Sequence, residues 1–157
     1  MVNLLFVINF LQQLGMESKA IRDSQITASS THSSGKYLSY YGRLNTILGD
    51  GGWIPKSNTV GQWIQVDLLQ LTRITAIATQ GCAKCDEWVI TYSLQYSDDG
   101  TSFSDYEGGK TLPGNSDRST VVKNNLDPPI TARYIRLLPK KYKSFMTIRL
   151  ELYGCQL

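Results

Sequence analysis

The chain has 157 residues, of which 41% are hydrophobic and 18% charged; that is one domain with room to bury roughly 70% of its unfolded surface, and not a mainly disordered chain. Sixteen Lys and Arg against thirteen Asp and Glu leave a net charge of +3, too thin a basic excess for the stripe of a nucleic-acid binder. Nine Tyr, three Trp and thirteen Gly lean towards β-structure with many turns.

Residues 1–11 are apolar apart from Asn3 and Asn9. The stretch falls short of the about 20 residues that cross a bilayer. It resembles the apolar part of a secretory signal but lacks the basic start and the small-residue cleavage site. A first strand, or the stump of a longer chain, accounts for it as well. Residues 1–13 are therefore set apart from a domain expected over 14–157.

Short strands are expected over 25–28, 62–68 and 73–80. In Trp88–Ser97, the residues Trp88, Ile90, Tyr92, Leu94 and Tyr96 share one face, and Val89, Thr91, Ser93, Gln95 and Ser97 the other. Period two over ten residues predicts a half-buried strand with the aromatic face inward. Asp98, Asp99 and Gly100 then signal a tight turn and a hairpin into 103–106. Further strands are expected over 120–123 and 132–138. In the last one Met146, Ile148, Leu150 and Leu152 alternate with Thr147, Arg149, Glu151 and Tyr153, and Arg149 and Glu151 are expected to pair as ions. Gly- and Pro-rich turns separate these segments, and no stretch keeps a helical period. The pattern predicts a sandwich or barrel with its termini close together and no helix longer than about two turns.

The cysteines are Cys82, Cys85 and Cys155. The C-x-x-C at 82–85 lacks the two further ligands of a zinc site, unless Cys155 and the single His32 supply them, and no helix follows it as in a thioredoxin-like site. It reads as a small disulfide-closed loop or as two buried thiols, the loop being favoured. Catalysis has no support: His32 sits in a Ser/Gly loop without a partner acid or a nucleophile elbow, and no Gly-rich loop leads into a helix. No catalytic residue, metal or cofactor is expected.

The runs LGMES at 14–18, DSQITAS at 23–29, YGRLN at 41–45, GW at 52–53, QWIQVDL at 62–68, IATQG at 77–81, YSDDG at 96–100, PGN at 113–115, PPI at 128–130, ARYIR at 132–136 and RLELYGC at 149–155 follow one another in a fixed order. Together they resemble the discoidin family, the coagulation factor V/VIII type C domain. The resemblance implies an all-β, galactose-binding-like jelly roll: an antiparallel β-sandwich whose loops at one end bind a ligand without catalysis. It also implies an extracellular recognition or adhesion module, secreted or on the cell surface, within a larger multidomain protein or an oligomer. Ligands across the family include galactose-type sugars, anionic phosphatidylserine membranes and proteins. Family members carry a Cys just before LGMES that bonds the final Cys; residues 10–13 hold none, so Cys155 is expected to be unpaired.

By the same resemblance three loops form the ligand end: 31–41, 47–53 and 81–87. The expected ligand set is Lys36, Tyr37, Leu38 and Tyr40 from the first, Leu48 and Asp50 from the second with Trp53 behind, and Lys84 and Asp86 from the third. Glu87, His32 and Asn58 are further polar candidates. Tyrosine faces beside carboxylates favour a cell-surface or matrix glycan, and apolar tips beside lysines keep an anionic membrane as the alternative. Lys140, Lys141 and Lys143 around Tyr142 read as a solvated turn between the last two strands, with an acidic polymer as the other reading. Arg43, Asp67 and Arg136 read as a structural charge network.

Overall fold

The computed structural model describes residues 12–157; the apolar segment 1–11, with its signal, strand and stump readings, lies outside the described residues. The strands are β1 (Ile26–Ala28), β2 (Ile64–Gln80), β3 (Trp88–Ser97), β4 (Ser104–Asp105), β5 (Leu112–Pro113), β6 (Val122–Lys143) and β7 (Arg149–Gln156). Helical structure among the described residues is confined to three 3-10 turns of three residues each, at Asp23–Gln25, Ser39–Tyr41 and Tyr106–Gly108. Every strand pair is antiparallel, and hydrogen bonding runs in the order β1-β2-β6-β3-β4, with β5 on β3 and β7 on β2. This is the antiparallel jelly-roll sandwich.

Two pairs of predicted strands turn out to be single long ones. The segments 62–68 and 73–80 join in β2, and 120–123 and 132–138 join in β6. Their register slips between Asp67 and Thr72, and again between Ile74 and Ala76. Such irregularities bend a strand, and a bent strand can serve both layers of a sandwich. Accordingly the first part of β2 pairs with β1 and the second part with β7. At the first slip Leu69 takes φ 68°, and Asp67 Oδ1 accepts its N–H at 2.8 Å. Arg133 grips the same carboxylate through Nε and Nη2, at 2.8 and 2.9 Å, and holds its pKa below the usual carboxylate range.

A bulge also corrects the expected face of β3. The register slips on both sides of Thr91, so Val89 is buried with Tyr92 and Leu94 while Ile90 faces solvent. The inward set fills one cluster with Ile64, Val66, Ile74, Ile77, Ile135, Leu137, Ile148, Leu150 and Leu152. Each such aliphatic side chain gains roughly 1.5–3 kcal/mol on full burial.

The expected charge pairings are corrected as well. Arg149 and Glu151 are both buried, and neither is the other's partner. Glu151 Oε1 accepts the N–H groups of Gly15, Met16 and Leu152 at 3.2, 3.0 and 2.9 Å, and its Oε2 accepts that of Glu17 at 2.9 Å. The run after Gln12 is thereby tied to β7, and the backbone adds Leu14 N–H to Leu152 O and Gly154 N–H to Gln12 O. Arg43 anchors separately: it donates to Met16 O and Ile21 O and pairs with Asp23 at 2.6 Å. Arg136 pairs with Gln65 and stacks between Trp63 and Phe103, 3.9 and 3.5 Å from their ring centres. The proposed single network is three separate anchors.

Glu151→Ala leaves these backbone donors buried without an acceptor and is expected to lower unfolding stability by about 3 kcal/mol or more. Glu151→Gln keeps one acceptor oxygen and should lose less; chemical denaturation of the two variants checks the order.

Candidate ligand-binding site

The loops stand on a buried platform. Trp53 is fully buried; its Nε1 donates to Ser30 O at 3.0 Å, and its backbone N–H donates to Ile148 O at 3.0 Å. It offers no surface to a ligand and acts as the floor. Tyr40 likewise packs against the core from the 3-10 turn, its ring edge-on to Tyr41 at 5.1 Å. Beneath the other two loops, Arg149 donates Nε to Gly81 O at 2.7 Å, Nη1 to Thr46 O at 3.1 Å and Nη2 to Arg118 O at 2.9 Å. Burial lowers its pKa, and the three carbonyls satisfy the guanidinium in place of a counter-ion.

Above the platform the three loops bond to one another. Asp50 N–H donates to Lys36 O at 3.3 Å, and Tyr37 Oη donates to Asp50 Oδ2 at 2.8 Å. From the third loop, Ala83 N–H donates to Gly51 O at 2.9 Å and Lys84 N–H to Asp50 O at 3.2 Å. Lys84 Nζ reaches Gly49 O at 2.7 Å. So close an approach needs Gly49 and Gly51. Both have positive φ, and a Cβ would meet Lys36 O at Gly49 and the Ala83 methyl at Gly51, each 2.2 Å away. Burial and then the Asp50 carboxylate push the Tyr37 phenol up to about 12. His32 meets the Tyr37 ring edge-on at 5.4 Å.

Cys82 and Cys85 form a disulfide with Cα atoms 5.3 Å apart, and Cys155 is a free, half-buried cysteine in β7. Glu87 closes the base of this loop: its carbonyl accepts Cys82 N–H at 2.9 Å and its Oε2 accepts the Thr147 hydroxyl at 2.7 Å.

Of the residues expected to line the site, Lys36, Tyr37, Asp50 and Lys84 come together through these bonds. Lys36, Leu48, Lys84 and Asp86 are exposed, while Tyr37, Leu38, Tyr40 and Asp50 are half-buried. Ile47, 68% exposed beside Leu48 at 48%, is the more prominent apolar tip of the second loop. It is absent from the expected ligand set, which takes only Leu48 from this adjacent apolar pair. Asn58 serves as a turn anchor, its Oδ1 accepting Met146 N–H at 3.0 Å. The lysines at 140, 141 and 143 lie in the last part of β6, paired with β3, and not in a turn. Lys143 covers the Trp88 ring at 4.6 Å, and the chain turns only after it, at Ser144.

The F5/8 type C domain family matches residues 25–152, and the chain belongs to that family. It is 41% identical over 154 residues to coagulation factor V of Bos taurus, a match that covers 92% of this chain and 7% of that protein. In structure it is similar to discoidin II of Dictyostelium discoideum, with a TM-score of 0.77, 27% identity and coverage of 84% of this chain and 55% of the other. A family 32 carbohydrate-binding module of C. perfringens in complex with galactose shares the fold, with a TM-score of 0.65, 21% identity and coverage of 85% and 97%.

Removing the Asp50 charge should bring the Tyr37 titration down from about 12 towards the ordinary phenol range. Asp50→Asn, followed by NMR of ring-labelled tyrosine with Tyr37→Phe for assignment, checks it; an unmoved titration would detach Tyr37 from Asp50.

Proposed function

We propose that the chain is a non-enzymatic recognition module that binds a glycan of galactose type in the crevice between its first and second loops, with the third loop as a wall. The observation that carries this reading is the Asp50 carboxylate, fixed by Tyr37 and by backbone contacts on either side. A carboxylate held in place before the ligand arrives can accept from sugar hydroxyls at little ordering cost. The partly buried Tyr37 ring supplies an aromatic face, and Lys36 and Lys84 supply donors at the rim. The fold shared with a galactose-bound module supports the class of ligand. The disulfide in the third loop suits an oxidising compartment, which supports a place outside the cell. The match to 7% of factor V fits a module that works inside a larger protein.

One observation favours a second reading. Ile47 and Leu48 project into solvent next to the Lys84–Gly49 contact, an apolar tip beside a cation. That combination suits an anionic membrane, the apolar tip entering the acyl boundary.

A glycan array run beside phosphatidylserine and phosphatidylcholine vesicles separates the two. On the glycan reading Asp50→Ala weakens sugar binding about tenfold or more, because it removes charge-assisted hydrogen bonds of about 1.5–3 kcal/mol each. The double change Ile47→Ser and Leu48→Ser leaves sugar binding within about threefold. If instead the chain ignores every glycan, binds phosphatidylserine vesicles and loses them with the serine pair, the membrane reading replaces the first.

A further inference from the structure

We propose that the Cys82–Cys85 disulfide is a redox-controlled positioning element of the loop site. Its reduction by a dithiol releases the tip of the third loop and with it the fixed arrangement of Tyr37 and Asp50. The inference rests on the proposed site only for its effect on binding; the mechanical coupling stands without it.

The coupling comes from where the bonds originate. The third loop's N–H bonds to the second loop come from the two residues enclosed by the cysteines, Ala83 N–H to Gly51 O, Lys84 N–H to Asp50 O and Lys84 Nζ to Gly49 O, and Cys82 Sγ itself touches Asp50 O at 3.1 Å. The disulfide fixes the conformation that aims these donors. Asp50 in turn accepts from Tyr37 and donates to Lys36 O, so a shift of the second loop reaches the first.

The release stays local. Cys82 and Cys85 are only three residues apart, so the bond closes a very short loop and removes little entropy from the unfolded chain. The base of the loop is held independently, by Cys82 N–H on Glu87 O and by the Thr147 hydroxyl on Glu87 Oε2. The main core is built from other residues. Opening the disulfide therefore frees the tip and leaves the sandwich standing.

The chemistry is ordinary thiol–disulfide exchange. Cys82 is fully buried and Cys85 is half-buried, so the reagent's thiolate attacks Cys85 Sγ. The S–S bond breaks, its electron pair leaves on Cys82 Sγ, and that sulfur takes a proton. The reagent's second thiol then displaces Cys85 Sγ, which is protonated in its turn. Two protein thiols and one oxidised cyclic dithiol result, for two electrons.

The test uses the full chain with Cys155→Ser, so that the two loop cysteines supply every thiol counted. Dithiothreitol is added under native conditions while thiols, the Tyr37 titration and amide exchange are followed. Two thiols per chain should appear, Tyr37 should fall from about 12 towards 10, and the Ala83 and Lys84 amides should exchange at least about tenfold faster. The core amides of Ile77 and Leu152 should be unchanged, and reoxidation should restore the start. The inference is overturned if both thiols appear while Tyr37 and those amides stay as they were. It is overturned equally if the thiols appear only when the core amides exchange. Binding to immobilised galactose and to phosphatidylserine vesicles is read on the same samples. Loss of binding on reduction supports control of the site, and unchanged binding in the reduced form rejects it. Should the oxidised chain bind neither probe while Tyr37 and the amides respond, the binding reading fails and the coupling is upheld. Cys82→Ala with Cys85→Ala should reproduce the reduced state without reagent.

Discussion

A buried guanidinium without a counter-ion holds the loop end of this molecule together. Arg149 reaches from β7 to three carbonyls that belong to three separate segments of the chain. Taking such a group out of water costs several kcal/mol, and only well-placed acceptors offset it. The carbonyls therefore sit where the guanidinium needs them, and so do the loops that carry them. Two residues along the same strand, Glu151 does the converse with backbone donors at the start of the described chain. One strand thus fixes a cation's acceptors and an anion's donors from two positions about 7 Å apart along its backbone.

This arrangement ties the start of the described residues to the last strand by hydrogen bonds alone. Cys155 stands free at the end of β7, yet Glu151 and two backbone bonds already tie the run after Gln12 to that strand. It also explains why the three loops are held rigidly. Trp53 lies beneath them, and they are bonded to one another backbone to backbone.

Much of the fold was legible in the residues, because strand periodicity follows directly from the pleat. The alternation around Tyr92 and Leu94 and that of Met146 to Leu152 located the strands that fill the core. What alternation does not encode is a bulge. The extra residue in β3 reversed the face at Val89 and Ile90, and the slips in β2 and β6 fused segments that looked separate. Side-chain partners were less legible still. Arg149 and Glu151 suggest a pair by charge and spacing, yet each is claimed by backbone groups, most of them distant along the chain: Gly81 and Thr46 for Arg149, and Gly15, Met16 and Glu17 for Glu151. Within the site, the loop assignments came from family resemblance, and the contact of Tyr37 with Asp50 was visible only once the loops were placed.

The second loop alternates fixed and free positions. At Gly49 and Gly51 there is no room for any side chain, while Ile47 and Leu48 carry theirs into solvent on a backbone that those glycines hold still. Asp50, bonded to Tyr37, belongs to the frame. A change at Ile47 or Leu48 alters the exposed surface of the loop without disturbing that frame. These two residues are therefore the place to randomise when a new specificity is sought on this scaffold.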